Sequence, residues 1–354
     1  MIELPKIGYG VGSYHWSDDN IDTMRLAIEK GMTLLDTAEG YDGGNSETVI
    51  GKAIKGYRDK VLISSKFSPE NSSYDKVIEA CEGSLKRLGT DRIDLYQIHW
   101  PSATIPFEET VRAMEKLVQD GKVVHIGAGN VLLHELEKLH SICGDKLKFI
   151  QVEYNLFDRT MESYVFPYCR YNDIAIIAYS PLDRGRMANG RRAIEVLDNM
   201  SKKYSRPLSQ IVLNYLWATS GSCVIPKSSN RKHLISNSES TSFYLTVQDL
   251  QDISEACQTE VKWIKPSEIR VSLSGEDNRK TYQNIEDAIK NELKYCPSAS
   301  DLSRIIEITD SIKPVRLVKS EDGYSLVEGR IRYWAWVIAN SDKPLPSIIR
   351  SQYE

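Results

Sequence analysis

The chain has 354 residues, of which 41% are hydrophobic and 27% are charged. At roughly 150 residues per domain, this length allows two domains, or one large domain with an appendage, and the composition argues against a disordered, collagen-like or coiled-coil protein. The 45 basic and 49 acidic side chains give a net charge of −4. Whole-chain charge therefore does not favour nucleic acid or an anionic membrane as a partner, and we expect no DNA binding.

The sequence lacks recognisable targeting and membrane signals. No window contains a long apolar run, and the N-terminus lacks the basic-then-apolar pattern of a secretory leader. We therefore expect a cytoplasmic protein that does not enter a membrane. The six cysteines stand far apart, without a C-x-x-C pair and without histidines at ligand spacing. This spacing predicts reduced, mostly structural thiols and no metal site.

Eight short apolar or β-branched segments recur along the first 226 residues, and stretches with helical periodicity lie between them. These strand candidates are residues 7–10, 33–37, 61–66, 93–99, 123–127, 148–152, 174–179 and 222–226. Helices are predicted at 22–30, 46–55, 75–88 and 108–120, each stopped by a glycine. A strand and helix repeat of roughly 30 residues is the size of a βα unit. Eight units favour a (β/α)8 TIM barrel over an open doubly wound sheet, although periodicity alone separates the two poorly.

The open sheet would also need a glycine-rich phosphate turn after an early strand. The early glycines are Gly8, Gly10 and Gly12, and the third of them is not at the spacing that the dinucleotide-binding fingerprint requires. We therefore give this fingerprint little weight. In a barrel, chemistry collects at the carboxyl ends of the strands. The polar or aromatic residues at those ends are Asp36, Lys66, His99, Asn130, Gln151 and Tyr179.

Four side chains at or near these ends suit carbonyl reduction: Asp36, Tyr41, Lys66 and His99. A tyrosine can protonate a carbonyl oxygen, but an ordinary pKa of about 10 makes it a slow acid at neutral pH. The ammonium group of Lys66 would lower that pKa, Asp36 would hold Lys66 charged, and His99 would hydrogen-bond the substrate oxygen or help to move the proton. The alternative at this point is structural, because an Asp–Lys pair at strand ends commonly orders loops.

Several motifs strongly resemble the aldo-keto reductase family. They are LLDTAEGY at residues 34–41 with NSE at 45–47, LKRLGTDRIDLYQIHWP at 85–101, GKVVHIG at 121–127 and VIPKS at 224–228. The resemblance covers about residues 1–258 and implies a barrel that binds NADP(H) in an extended pose. It also implies that the four side chains named above form a catalytic tetrad. The implied reaction is hydride transfer to an aldehyde or ketone, or the reverse alcohol oxidation, with Tyr41 as proton donor.

The resemblance also implies cofactor contacts. At the nicotinamide end, Asn130 and Gln151 match the residues that bind the carboxamide, and Tyr179 matches the ring that stacks on the nicotinamide. Ser180 and Leu182 match the residues that contact the pyrophosphate. At the adenosine end, Lys227 and Ser228 match the pair that binds the 2′-phosphate, and Asn237 matches the residue that contacts the adenine.

Two positions depart from the family pattern. Gly129 stands where the family usually has a serine, and His233 stands where it usually has an arginine. The first change removes a hydroxyl donor to the carboxamide. Because Arg231 and Lys232 can compensate for the second, we expect NADP(H) as cofactor and keep NAD(H) as the alternative. A solvated helix start would also explain these basic residues.

After Cys257 about 95 residues remain, enough for a small second domain, which we place at residues 262–354. Its pattern predicts an α+β fold. Helices are expected near 284–293, 299–311 and 332–340, and strands at 315–319, 324–327 and 346–350, with a hairpin turn at Asp322 and Gly323.

The motif VEGRIR at residues 327–332 places a glycine and two arginines between a predicted strand and helix. Such a junction suits an anion or phosphate, although the residues alone slightly favour ordinary helix-start chemistry on a charged surface. Residues 262–350 resemble the ParB/sulfiredoxin-like fold, which implies a nucleotide phosphate site at Gly329, Arg330 and Arg332 with ATP or CTP as ligand. Arg330 replaces the sulfiredoxin cysteine and no helix-turn-helix follows, so neither sulfiredoxin chemistry nor DNA partition is expected.

The favoured interpretation is an NADPH-dependent reductase of a small carbonyl compound with a nucleotide-binding C-terminal domain. The alternative is an NADP(H)-sensing barrel that regulates a nucleotide-dependent switch or kinase in the tail. The segments around Trp16, Tyr57, Trp100 and 183–190 suggest an aromatic-rimmed substrate pocket. These segments do not identify the substrate, and the sequence does not indicate the oligomeric state.

Overall fold

A computed structural model describes residues 2–12, 15–185, 195–257, 260–271, 282–295, 297–320 and 323–350. The chain divides into two compact units, the first formed by residues 1–101 and 105–258 and the second by residues 102–104 and 259–354.

The first unit is built on eight parallel strands, each paired with its neighbour in chain order. They are β1 (Tyr9–Gly10), β2 (Leu34–Asp36), β3 (Leu62–Phe67), β4 (Ile93–Ile98), β5 (Val123–Gly129), β6 (Leu147–Glu153), β7 (Ala175–Tyr179) and β8 (Cys223–Ile225). A parallel bridge between Ile7 and Val224 joins the first strand region to the last, and the amide of Gly8 donates to the carbonyl of Val224 at 2.9 Å. The predicted (β/α)8 barrel is confirmed, and every predicted segment overlaps its strand.

Helices cover the outside of this barrel. They are α1 (Ile21–Glu29), α2 (Asn45–Ala53), α3 (Tyr74–Leu88), α4 (Phe107–Gln119), α5 (Leu133–Cys143), α6 (Val165–Tyr171), α7 (Glu195–Tyr204), α8 (Leu208–Ser220), α9 (Arg231–Ser238) and α10 (Val247–Ala256). The four helices predicted from the sequence are present within two residues of their expected bounds. Gly89 ends α3 in the left-handed conformation, at φ 61°, as a C-terminal glycine commonly does.

The inward-facing residues change character along each strand. Near the amino ends the interior is apolar, with Leu34, Leu95, Phe149 and Ile177 buried together. Gly127 makes room for this layer, because a Cβ on it would lie 2.5 Å from the ring of Phe149. Two residues further along these strands the inward positions become polar or aromatic, since successive side chains of a strand alternate between its faces. A packed apolar plug therefore supports the layer of residues at the carboxyl ends.

The second unit combines a mixed five-stranded sheet with three helices. The strands are β9 (Val261–Ile264), β10 (Ile269–Val271), β11 (Val315–Ser320), β12 (Gly323–Glu328) and β13 (Leu345–Arg350), and the helices are α11 (Ile285–Lys290), α12 (Ala299–Thr309) and α13 (Arg330–Asn340). The sheet order is β10-β12-β11-β13-β9. β11 and β12 pair antiparallel as the predicted hairpin, while Asp322 lies outside the described residues. Trp336, Leu317 and Leu345 are fully buried in the core of this unit.

Helix α13 begins two residues earlier than the sequence predicts. Gly329 precedes it at φ 95°, a left-handed conformation that glycine adopts readily, and Arg330 is the first helical residue. The arginines of the VEGRIR motif therefore lie on the first turn of the helix.

Five cysteines are free and buried: Cys81, Cys143, Cys169, Cys223 and Cys257. Burial raises the pKa of the Cys81 thiol to about 12, so it is protonated at neutral pH. The prediction of reduced structural thiols agrees with these five, whereas Cys296 lies outside the described residues.

None of the helices within the described ranges is long and apolar enough to cross a membrane.

Candidate active site

Asp36 and Lys66 form a buried ion pair at the carboxyl ends of β2 and β3. The ammonium nitrogen of Lys66 donates to Oδ2 of Asp36 at 2.8 Å and to the carbonyl of Thr37 at 2.5 Å. Burial lowers the pKa of Lys66, but its interactions with Asp36 and Tyr41 outweigh this effect and leave the pKa raised. Lys66 is therefore a permanent cation at neutral pH.

Two further donors hold the other oxygen of Asp36. Oδ1 accepts from the hydroxyl of Ser64 at 2.9 Å and from Nε2 of Gln151 at 2.7 Å. Ser64 in turn accepts from Nε2 of Gln97 at 3.1 Å. The sequence analysis missed Ser64 and Gln97. The period-two pattern would have indicated them, because each lies two residues before a predicted site residue on the same face of its strand.

Tyr41 lies beside this pair, on the segment that follows β2. Its hydroxyl is 3.3 Å from Nε2 of His99, and the two rings meet edge to face. The nitrogen of Lys66 lies 5.0 Å from the centre of the Tyr41 ring. After Tyr41, the backbone makes a tight turn in which Asp42 and two glycines have positive φ. The four residues expected to act together are thus brought together.

Burial changes the acid–base properties of Tyr41 and His99. Burial raises the pKa of Tyr41 above its ordinary value of 10.0, and the charge of Lys66 opposes this increase without cancelling it. Lys66 does lower the pKa of Tyr41, as expected. The expectation that this pKa falls below its ordinary value was wrong, because burial of the phenol raises the pKa more than Lys66 lowers it. Burial and Lys66 lower the pKa of His99 to about 3. His99 is therefore neutral across the physiological range.

Asn130, Gln151 and Tyr179 lie together at the carboxyl ends of β5, β6 and β7. The hydroxyl of Tyr179 donates to Oδ1 of Asn130 at 2.7 Å, and Nδ2 of Asn130 donates to the carbonyl of His99 at 3.0 Å. The backbone amide of Asn130 donates to the carbonyl of Gln151 at 2.9 Å. Through His99 and through Gln151, this cluster is continuous with the group around Asp36.

The backbone around Gly129 leaves no room for a side chain at this position. A Cβ on Gly129 would lie 2.8 Å from the carbonyl oxygen of His99 and 3.1 Å from that of Ile98. The serine usual in the family would therefore force the ends of β4 and β5 apart here. The close approach of the two strand ends explains the departure noted in the sequence.

Ser180 and Leu182 occupy the turn after β7. Ser180 has φ 51°, and its carbonyl accepts from the amide of Asp183 at 3.0 Å. Leu182 is partly buried against the main core. The part of the proposed pocket segment at 186–190 lies outside the described residues.

Lys227, Ser228, Arg231 and Asn237 belong to the segment formed by the end of β8 and by α9. The carbonyl of Ser228 accepts from the hydroxyl of Tyr9 at 2.5 Å, which ties this segment to β1. Asn230 caps α9 by accepting from the amide of Lys232 at 2.9 Å. Arg231 and Lys227 are exposed, whereas Asn237 is buried.

The aromatic pocket expected from the sequence is only partly supported. Trp100 follows His99 and is 38% exposed. Trp16 is buried, and its indole donates to the carbonyl of Gly12. Tyr57 precedes β3, so it lies at the amino end of the barrel, where its hydroxyl donates to Glu29 at 3.0 Å. The expectation that Tyr57 lines the pocket was wrong.

Two arginines of the second unit, Arg332 and Arg316, bind groups of that unit. Arg332 donates to the carbonyls of Lys313 at 3.0 Å and Pro314 at 2.6 Å. Arg316, which is buried, pairs with Glu328 at 2.6 Å. Arg330, Arg332 and Gly329 lie at the strand-to-helix junction as expected, with Arg332 bonded to backbone carbonyls.

The chain is similar in sequence and in fold to known proteins. The chain is 35% identical to methylglyoxal reductase YeaE of Escherichia coli (strain K12), over 72% of this chain and 92% of that protein. It is 32% identical to glyoxal reductase of Bacillus subtilis (strain 168), over 76% of this chain and 94% of that protein. An aldo/keto reductase from Klebsiella pneumoniae, solved in complex with NADP and acetate, superimposes with a TM-score of 0.68 at 32% identity, over 72% of this chain and 92% of that one.

The profile of the aldo/keto reductase family matches residues 6–258, which include almost the whole of the first unit and end before residue 259. The chain therefore belongs to the aldo/keto reductase family, and it is an NAD(P)-dependent oxidoreductase of that type.

Proposed function

We propose that this chain uses NADPH to reduce a small aldehyde or ketone, and catalyses the reverse alcohol oxidation, with Tyr41 as the proton donor. The observation that carries the proposal is the buried cation of Lys66, paired with Asp36 and 5.0 Å from the centre of the Tyr41 ring. The names of the two curated relatives favour a small α-oxoaldehyde such as methylglyoxal or glyoxal as substrate.

The side chains divide the proton chemistry among them. Lys66 favours the phenolate form of Tyr41 and so offsets part of the cost of its burial, which helps the phenol to release its proton. His99 is neutral, and its Nε2 lies within 3.3 Å of the phenol oxygen. In the tautomer that carries the proton on Nε2, the imidazole and the phenol are two neighbouring donors that can reach one carbonyl oxygen. Asp36 holds Lys66 in position.

The residues present fit a phosphorylated nicotinamide dinucleotide. Lys227, Arg231 and Lys232 are exposed cations around the start of α9, which suits an adenosine 2′-phosphate and favours NADPH over NADH. Asn130 presents a half-buried amide beside the Tyr41 and His99 pair, which suits a carboxamide. The remaining proposed contacts are Gln151 and Tyr179 for the nicotinamide, Ser180 and Leu182 for the pyrophosphate, Ser228 for the 2′-phosphate and Asn237 for the adenine. When bound, the reduced nicotinamide supplies the hydride.

NADPH oxidation by the full chain, measured with a panel of small aldehydes, α-oxoaldehydes, ketones and sugars, tests the proposal. We expect turnover that saturates with a small aldehyde and that is faster with NADPH than with NADH. Tight NADPH binding without turnover across the panel would refute the reductase and favour the alternative, a barrel that senses NADP(H) and regulates the second unit.

We also propose that residues 1–258 and 262–354 are separate domains, and that the second has a ParB/sulfiredoxin-like fold that binds the phosphates of ATP or CTP at Gly329, Arg330 and Arg332. The left-handed Gly329 before α13 and Arg330 on the first turn of that helix support this site. A thermal shift of the full chain with ATP or CTP tests it, with Arg330→Ala compared to the parent. An equal shift in both proteins, or none in either, would contradict it.

A further inference from the structure

Asn130 is held in an unusual backbone conformation at the mouth of the barrel. Its φ is 60°, in the left-handed region that asparagine tolerates better than most residues. Its backbone amide is bonded to Gln151, and Gly129 before it is packed against the carbonyl of His99. The backbone of Asn130 is therefore fixed, and only its side-chain torsions remain to be set.

The hydrogen bonds determine which way the amide of Asn130 faces. The carbonyl of His99 can only accept, so the atom 3.0 Å from it must be the amide nitrogen. The amide oxygen then faces Tyr179, and the phenol 2.7 Å away must donate to it. Both ends of the Asn130 amide are thus held by groups of the protein, and the orientation follows from the chemistry of the partners.

Tyr179 reaches this amide from two strands away. It ends β7, whereas Asn130 follows β5, and the end of β6 with Gln151 lies between them. Both Tyr179 and Asn130 are half-buried, and both lie at carboxyl ends of barrel strands, where ligands bind in this fold. Among the described residues, the two side-chain bonds of Asn130 leave one N–H and one oxygen lone pair of its amide for a ligand.

We propose that Tyr179 is a positioning residue whose hydroxyl orients the amide of Asn130 for recognition of the nicotinamide carboxamide. This inference rests on the proposed function, because it concerns the nicotinamide end of the same site. Without the hydroxyl, the amide of Asn130 would be held at its nitrogen only, and its oxygen would lose the partner that keeps it aimed. The aromatic ring of Tyr179 is a separate contribution, which a phenylalanine would retain.

The test is a set of equilibrium titrations of the full chain with NADPH, followed by cofactor fluorescence. Loss of one neutral hydrogen bond predicts that Tyr179→Phe raises the Kd for NADPH about three- to tenfold. Asn130→Gly removes the amide while allowing the left-handed backbone, and we expect it to raise the Kd at least as much. In the Asn130→Gly background, Tyr179→Phe should change the Kd less than about twofold, because its hydroxyl acts through an amide that is no longer there.

Two controls separate positioning from a general loss of structure. The fragment 2′,5′-ADP carries the 2′-phosphate but no nicotinamide, so its Kd should be the same in the parent and in Tyr179→Phe. Tyr168→Phe removes a hydroxyl that is 2.9 Å from Nδ1 of His140 on the outer helices, and it should leave the Kd for NADPH unchanged.

The outcomes are distinct. An unchanged Kd in Tyr179→Phe, an equal loss of affinity with and without the Asn130 side chain, or an equal loss for 2′,5′-ADP would each overturn the inference. If the parent protein binds 2′,5′-ADP but not NADPH, or neither, the proposed function fails first and the inference fails with it.

Discussion

The ammonium nitrogen of Lys66 lies 2.8 Å from Oδ2 of Asp36, and both side chains are almost completely removed from solvent. Moving two charges out of water is costly, and their attraction repays the cost only when the remaining polar atoms also find partners. Here the carbonyl of Thr37 accepts from Lys66, and Ser64 and Gln151 donate to Asp36. The pair is therefore stable as a unit, whereas either charge alone would be strongly destabilising.

Replacing Lys66 with methionine should lower the free energy of unfolding by about 3–5 kcal/mol, because it leaves a buried carboxylate without its counterion. Urea denaturation of the full chain measures the change. Lys52→Met is the matched control, since Lys52 pairs with Asp18 at the surface. An exposed pair contributes about 0.2–1 kcal/mol. Similar losses of unfolding free energy in the two variants would mean that the buried ion pair stabilises the fold no more than the exposed one does.

Tyr41→Phe tests the proton donor. Removing a general acid predicts a loss of kcat on the order of 10²–10⁴-fold, while the Kd for NADPH stays within about twofold. Stopped-flow NADPH oxidation and fluorescence titration measure the two quantities separately. Tyr57→Phe loses a hydroxyl at the opposite end of the barrel and should keep full activity. Retained turnover in Tyr41→Phe would assign the proton to another group.

His99 predicts a specific dependence of stability on pH. Its pKa is about 3 in the folded protein, against an ordinary value of 6.5. Between these values the unfolded chain binds a proton that the folded chain does not, so stability falls as the pH falls from about 6.5 towards 3. Between pH 7 and pH 4.5, the melting temperature of the parent should therefore decrease more than that of His99→Gln.

The control for this pH dependence is His233→Gln, because His233 is an exposed residue of α9. Between pH 7 and pH 4.5, the melting temperature of that variant should decrease as much as that of the parent. If His99→Gln also follows the parent, protonation of His99 makes no difference between the folded and unfolded states.

The positions of Asp36, Lys66 and His99 could be predicted because each ends an apolar strand or directly follows one, and a parallel barrel brings such ends to one face. The bond between Tyr179 and Asn130 could not, since it spans an intervening strand and depends on side-chain torsions that spacing does not specify. The raised pKa of Tyr41 was missed for a related reason. Burial of the phenol depends on residues distant in the chain, whereas the effect of Lys66 follows from its charge alone.

In the second unit, too, the sequence predicts where helices and strands lie, but it does not predict individual contacts or the exact ends of these elements. Its helices and the strands β11, β12 and β13 overlap the segments predicted from the periodic spacing of apolar residues. The exact start of α13 depends on the left-handed conformation of Gly329, and the contacts of Arg332 depend on how the chain before β11 passes the helix. Neither of these is visible in a short motif.

Gly129→Ala should destabilise the barrel and weaken cofactor binding together. The added Cβ would lie 2.8 Å from the carbonyl oxygen of His99, the same oxygen that accepts from Asn130, so the strand end must move and that hydrogen bond must lengthen. Overpacking of this kind costs about 1–3 kcal/mol. Gly12→Ala is the control, because a Cβ there would meet no atom of the described residues within 4 Å. Thermal melts and NADPH titrations of both variants measure the two effects. Full stability and affinity in Gly129→Ala would show that the ends of β4 and β5 can separate at little cost, and that the absence of a side chain at this position has no role in the site.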